Sequence, residues 1–357
     1  MSTPSRRAAE PRRAPQSPAA RASSGRFASL PRVPLVLGPT PLHRAPRLSR
    51  ELGVPILLKR DDLTGVGLGG NKLRGLEYIL ADLRARGCDC LVTGAGPQSN
   101  WIMLAALACL RYQIEPHIVC YGSAAASEGN MRLLRWLGVG VRFTDNPDRS
   151  SVDAGIEAAA ARLRAQGRHP YPVPRGGATP LGALGYVRAS VELAAQLNSL
   201  GEQPSALWTA TGSGGTQAGL VVGAALTGAG YQVVGVTVSR PVTESRARVR
   251  ELAAATAELA GMDVVLGEPV VLGGWIGPGY GQRSPDGQAA ARLVAAAEGV
   301  FLDPVFGAKA MAALIAECRA GRARGTQVFL VSGGAPALFA GPSVRSNSRS
   351  LLLYASP

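Results

Sequence analysis

The chain has 357 residues, 46% of them hydrophobic, and a formal net charge of +14. That is enough length and apolar content for two domains or one large α/β unit. Residues 1–50 hold ten arginines against one acid, Glu10, and so carry nine of the fourteen net charges. The remaining body has no Lys/Arg stripe interleaved with aromatics, which excludes a nucleic-acid enzyme.

No apolar run reaches the length of a bilayer span, so no membrane partner is expected. The five cysteines at 88, 90, 109, 120 and 318 are scattered and odd in number. Without a secretory signal they predict free thiols in a reducing cytoplasm. Cys88 and Cys90 read as strand-entry packing, because no second pair or partnered histidine follows, and no metal is expected. His43, His117 and His169 are isolated and read as structural.

In chain order, residues 1–27 are rich in Arg, Ala, Ser and Pro and predict a disordered basic arm. A transit peptide is the alternative, weakened by prolines at 4, 11, 15 and 18. Thr40-Pro41-Leu42 is a stiff extended entry, "SRELGV" a short helix and turn, and "PILLKRDDL" a strand ending in charge. Gly67, Gly69 and Gly70 then lead into a helix running from Lys72 to about Arg86. Glycines allow positive φ and close approach to a ligand. A lysine desolvated there can act as a nucleophilic amine toward an aldehyde. Taken alone, the stretch reads first as a solvated lysine on a helix's first turn; the downstream motifs reverse that.

"CDCLVTGAGPQSNWIMLAALACLRY" is a strand, a glycine turn and a helix with Gln98, Ser99 and Asn100 at its N-terminus, where free N–H groups favour an anion. Further strands and helices alternate through "EPHIVCYG", "GNMRLLRWLGVGVRFT" and "SVDAGIEAAAARLRAQG". "HPYPVPRGGATPLGALGY" is a Pro/Gly-rich crossing into a long helix. The alternation predicts a parallel sheet in a layered α/β fold.

In "SALWTATGSGGTQAGL" an apolar strand ends in Gly212-Ser213-Gly214-Gly215-Thr216. A glycine turn at a helix start exposes N–H donors to a phosphate. The stretch lacks a P-loop lysine and has Gln217 where GxGxxG needs glycine, which points to a lone phosphate rather than a nucleotide. The alternative is a plain strand–helix turn. "GWIGPGYGQRSPDG" is a rigid loop holding Tyr280, and "TQVFLVSGG" a last buried strand with Ser332 at its lip.

"GGNKLR", "QSN", "GSGGTQAGL", "GPGYG", "LDPVFGAKAM" and "GGAPALF", in this order from about residue 35 to about 340, resemble the fold-type II pyridoxal-phosphate enzymes. Within them the pattern is most similar to the D-cysteine desulfhydrases and 1-aminocyclopropane-1-carboxylate deaminases. The resemblance implies a tryptophan synthase β-like α/β fold, two three-layer domains facing across a cleft. Residues 28–75 and 187–345 would form the large cofactor domain and 76–186 the small one, with the arm at 1–27 and a tail at 346–357. It also implies pyridoxal 5'-phosphate, a small amino-acid substrate and a cytoplasmic homodimer.

Residue by residue, Lys72 resembles the lysine that holds the cofactor as an internal aldimine and later moves substrate protons. Asn100 resembles the partner of the cofactor's phenolic oxygen. Thr211, Gly212, Ser213, Gly214, Gly215 and Thr216 resemble the phosphate cradle, and Ser332 occupies the position facing the pyridine nitrogen. Gln98, Ser99, Asn100, Trp101, Tyr280 and Phe306 fall at substrate positions, with Ser99 and Tyr280 resembling catalytic residues. The chain departs from the pattern at Phe306, where a second tyrosine is expected, and at Gly307, where the deaminases carry an acid. Trp101, Met103 and Val331 replace more polar family residues. These implications favour β-elimination or β-replacement on a β-substituted amino acid. Cyclopropane ring opening is disfavoured by Phe306 and Gly307, and a non-catalytic cofactor-binding protein is the reading from another class.

Overall fold

The computed structural model describes residues 26–124 and 128–341. The basic arm up to residue 25 and the tail from 342 lie outside the described residues. Phe27, expected to belong to the arm, is instead buried in one cluster with Leu184 and Met262.

The strands are β1 (Leu42–Arg44), β2 (Ile56–Arg60), β3 (Cys90–Ala95), β4 (Glu115–Cys120), β5 (Val141–Phe143), β6 (Pro170–Pro172), β7 (Ala206–Thr211), β8 (Gln232–Thr237), β9 (Val270–Leu272) and β10 (Gln327–Val331). They form a six-stranded sheet ordered β1-β2-β10-β7-β8-β9 and a four-stranded sheet ordered β5-β4-β3-β6. Among the described residues only the β1–β2 ladder is antiparallel; every other ladder is parallel. The interleaved helices are α1 (Pro46–Leu52), α2 (Lys72–Ala85), α3 (Asn100–Arg111), α4 (Gly129–Trp136), α5 (Ser151–Ala165), α6 (Pro180–Leu200), α7 (Gly215–Thr227), α8 (Val242–Leu259), α9 (Pro285–Glu298) and α10 (Gly307–Arg319).

The apolar strands read from the sequence are those a doubly covered parallel sheet needs. β10, buried along its whole length, lies at the centre between β2 and β7. Two segments differ from the sequence expectation. The strand "PILLKRDDL" stops at Arg60, and Asp61–Leu63 turns into a 3₁₀ helix that carries Asp61 into the interior. The Pro/Gly-rich crossing contains β6, which pairs with β3 as an edge strand. Proline cannot donate to a ladder, so such a strand is confined to an edge.

A buried polar network ties the fold to the lysine loop. Arg74, two residues beyond Lys72, donates to Asp61 from Nε at 2.7 Å and Nη2 at 2.8 Å. Tyr186 donates its hydroxyl to Asp61 at 2.6 Å, and Thr40 does so at 2.8 Å. Glu192 accepts from Arg74 and also pairs with Lys59. Burial alone raises the Asp61 pKa, but Arg74, Tyr186 and Lys59 overcome it and hold the carboxyl below its ordinary range. The register of α2 against β2 and α6 is therefore set by charge as well as packing. A Cβ on Gly185 would meet the Arg74 carbonyl at 2.3 Å, so α6 crosses the start of α2 at backbone contact.

Candidate active site

Both sheets point the carboxyl ends of their parallel strands into one cleft with about 90 Å³ of free volume, the usual place for a ligand in open α/β sheets. The segment after β2 brings Lys72, the loop after β3 brings Ser99 and Asn100, the turn after β7 brings Gly212, Ser213, Gly214 and Thr216, and the end of β10 brings Ser332. Trp101, Tyr280 and Phe306 complete the predicted set that lines it.

Lys72 is the first residue of α2. Its amine faces the cleft, and desolvation pulls its pKa down to about 8 against the opposing pull of Asp303. The glycines before it serve backbone packing rather than approach to a ligand. A Cβ on Gly69 would meet the Asp62 carbonyl at 1.9 Å, and Gly70 pairs with Gly333 as a β-bridge. The lysine loop is thereby locked to the end of β10, and Asn71 donates its backbone N–H to Ser332 O at 2.9 Å.

α7 starts without a side-chain cap: its N-cap is Gly214 at φ 93°, a conformation glycine adopts readily. Thr216 and Gln217 of its first turn line the cleft beside Ser213 and Gly214. Asn71 Nδ2 donates to Thr216 Oγ1 at 3.0 Å and joins this turn to the lysine loop. Arg240, from the end of β8, braces the turn by donating to Gly212 O at 2.8 Å and lines the same wall. An uncapped helix start, two hydroxyls and an adjacent guanidinium suit a phosphate group. With an amine of lowered pKa on the facing segment, these residues fit pyridoxal phosphate.

Ser99 caps α3 and accepts from Trp101 N at 3.2 Å. Asn100 donates to Asp303 Oδ2 at 3.1 Å and accepts from Asn130 at 2.9 Å. Trp101 is a wall rather than a polar contact, its indole N–H being taken by Thr93 Oγ1 at 2.8 Å. Three predicted residues stand elsewhere. Gln98 does not line the cleft, since its amide bridges Glu128 O and Asn130 N. Thr211 Oγ1 is buried against Gln217, and Gly215 supports the turn from behind, close to Ala178.

Tyr280 and Phe306 meet edge to face, 6.0 Å between ring centroids. The Tyr280 loop is held by Lys309, whose amine donates to Ile276 O at 2.7 Å and Gly279 O at 3.2 Å. Burial raises the Tyr280 pKa, which keeps the phenol protonated.

Asp303, Arg240, Tyr121, Arg149 and Arg175 line the cleft but escaped the sequence reading. Asp303 is buried, and desolvation raises its pKa to about 6 although Phe306 N, Val305 N and Asn100 bond it. The only available signal was "LDPV", which reads equally as a turn. The amine attacks an aldehyde only when unprotonated, so loading of the apo-protein with pyridoxal phosphate should accelerate with pH until about 8 and level off above. Below that midpoint the rate should fall roughly tenfold per pH unit. Asp303→Asn removes the negative charge that raises the Lys72 pKa and should move the midpoint lower; stopped-flow absorbance across pH 6–9 measures both.

Among the described residues no group of three or more His, Cys, Asp or Glu is placed to hold a metal, and no helix is long and apolar enough to cross a membrane. The profile of a family described as "Pyridoxal-phosphate dependent enzyme" matches residues 33–333. The chain is 37% identical over 309 residues to a putative 1-aminocyclopropane-1-carboxylate deaminase of Pyrococcus abyssi, covering 87% of this chain and 93% of that protein. It is 38% identical over 324 residues to a D-cysteine desulfhydrase of Salmonella paratyphi B, covering 87% and 96%. The fold superposes on the crystal structure of an ACC deaminase homologue with a TM-score of 0.84 at 34% identity, over 91% of this chain and 97% of that one. Threonine deaminase isoform 2 of Solanum lycopersicum, at 19% identity and a TM-score of 0.65 over 90% of each chain, shares the fold.

Proposed function

We propose, given that this chain belongs to the pyridoxal-phosphate dependent enzyme family, that it removes or replaces the β-substituent of a small amino acid in the manner of a D-cysteine desulfhydrase. The observation that carries this reading is the pairing of a desolvated Lys72 with an uncapped, Arg240-braced helix start in one cleft, next to a Tyr280–Phe306 wall that holds a single phenol.

Pyridoxal phosphate, when bound, supplies an electron sink that acidifies the Cα proton of a condensed amino acid. The residues of the chain do the rest. The N–H groups and hydroxyls of residues 212–216 would hold the phosphate, and Ser332 would face the pyridine nitrogen. Asn100 would hold the phenolic oxygen, its amide oriented by Asp303 and Asn130. Ser99 and the N–H groups at the start of α3 would grip the substrate carboxylate and fix the Cα–H bond toward Lys72. Lys72 Nζ, with a pKa near the working pH, takes that proton. Tyr280 keeps its proton and can deliver it to a departing group. Trp101, packed under Gly177, excludes water from one side.

Phe306 and Gly307 favour elimination over ring opening. A phenyl group has no proton to donate, and Gly307 offers no acid where ring opening would need one. Pyruvate release from β-substituted D- and L-alanines, set beside 2-oxobutanoate release from 1-aminocyclopropane-1-carboxylate, separates the readings. We expect the cyclopropane to react at least about 100-fold more slowly than 3-chloroalanine, the usual cost of a missing general acid. Comparable rates overturn this assignment, and no turnover of any substrate supports a non-catalytic cofactor-binding protein. The same reading takes the four-stranded sheet, within about residues 76–186, as the smaller domain, and the protein as a homodimer in the cytoplasm.

A further inference from the structure

Helix α5 covers the four-stranded sheet unevenly. It buries Ile156, Ala159 and Leu163 in one cluster with Cys90, Val92 and Val119, from β3 and β4, and no residue of the edge strand β5 joins that cluster. The first half of α5 is held close to the sheet. Ser151 Oγ lies 2.8 Å from Thr144 Oγ1, and a Cβ on Gly155 would meet Val119 Cγ1 at 2.7 Å. The second half stands over a groove with about 520 Å³ of free volume, bordered by Gly140 and Arg142 on one side and by Arg162 and Gln166 on the other. Sites for small molecules run from roughly 300 to 1,000 Å³. The sequence of β5 accounts for the opening. Arg142 stands opposite Val119 in the ladder and so emerges on the α5 side, whereas Val141 and Phe143 pack on the other face. Gly140, two residues before Arg142 and on the same face, supplies no side chain to fill the space.

No carboxylate lines this groove, and it shares no lining residue with the cleft. Among the described residues Arg142 and Arg162 make no ion pair and no side-chain hydrogen bond. Glu115, two residues before His117 on β4, is engaged by Arg168 at 2.8 Å. His117 lines the groove; its Nε2 lies 3.2 Å from Glu115 Oε1 but out of line for a hydrogen bond, and is buried without a partner. We propose that the groove binds a small organic anion, a phosphate monoester or carboxylate carried on an apolar body, at a site separate from the cleft. Arg142 from the strand and Arg162 from the helix would take the anionic oxygens with forked donors. Val119, Ala159 and Leu163 would take the body. The body is essential, because two exposed guanidiniums attract a bare ion only weakly in water.

The test is calorimetry on the full-length holoenzyme, with the cofactor site filled. The probes are 1-naphthyl phosphate and 1-naphthoate, with 1-naphthalenemethanol and inorganic phosphate as controls. At least one naphthyl anion should bind about tenfold or more tighter than both controls, and the pair tells phosphate from carboxylate recognition. Arg142→Met and Arg162→Met should each weaken that binding roughly tenfold, the loss that follows removal of one charge-assisted contact. Gly140→Trp should abolish it. A Cβ at Gly140 meets nothing within 4 Å and its φ is not in the left-handed region, so the indole would fill the groove without strain. All three variants should keep the wild-type cofactor absorbance and melting temperature, since none of these residues lines the cleft. Equal binding of the alcohol and the anions, or binding unmoved in all three variants, overturns the assignment. So does a wild type that binds neither anion; loss of a dimer in the methionine variants would then give the groove to a second copy of the chain.

Discussion

Lys72→Ala should lose the covalent cofactor and at least about 1,000-fold in turnover, because no other amine among the described residues lines the cleft. Borohydride reduction followed by peptide mass spectrometry should find the pyridoxyl group on the Lys72 peptide of the wild type and on no peptide of the variant. Phosphate binding should persist, since the turn at 212–216 and Arg240 do not depend on the amine. The variant should therefore still bind pyridoxal phosphate, reversibly and more weakly. A retained pyridoxyl adduct, or near-wild-type turnover, would remove the basis for placing the chemistry at this residue. Lys72 is half-buried, and desolvation by the protein walls of the cleft pulls its pKa down to about 8.

Arg74→Met should be the most destabilising single change in this part of the fold. It leaves the Asp61 carboxylate buried with its main counter-charge gone, and strips Glu192 of a partner. Breaking a buried pair from one side typically costs about 3–5 kcal/mol, which denaturant unfolding of the apo-protein would show. Arg74→Lys should recover little, since an ammonium cannot reproduce the bonds from Nε and Nη2 to one carboxylate. The pH dependence carries the same signature. The Asp61 pKa is held below its ordinary 3.8, so the contribution is present above that value and fades as pH falls through the lower folded-state pKa. In the variant this acid limb should flatten. An Arg74→Met protein as stable as the wild type would mean that α2 is held by packing alone.

The two effects connect through the chain. Arg74 anchors the first turn of α2 to β2 and α6, and Lys72 sits on that same turn. The amine is thereby positioned from below by a charge network and from the side by the Gly70–Gly333 bridge. Loss of the network should displace Lys72 as well as destabilise the fold.

Much of this was legible in the chain itself. The alternation of apolar strands with helices, the glycine-rich starts of α2 and α7, and the serine that caps α3 are local features, written in residue type and spacing. Local propensity and capping determine them, and they sufficed to place Lys72, Ser99, Asn100, the 212–216 turn, Tyr280 and Ser332 in one family pattern. Tertiary structure alone decided which side chains face the cleft. Gln98 and Thr211 turned away because Asn130 and Gln217 offered them buried partners. Arg149 and Arg175 turned inward from segments with no motif to mark them, and Asp303 did so from a motif read only for Phe306 and Gly307. The glycines before Lys72 do take the positive φ read for them, but at Gly69 and Gly70 the close approach is of backbone to backbone rather than to a ligand. The order of strands in the two sheets brings the carboxyl ends of segments far apart in sequence to one place. Spacing along the chain carries no record of that convergence, because it depends on which strands pair and not on the residues between them.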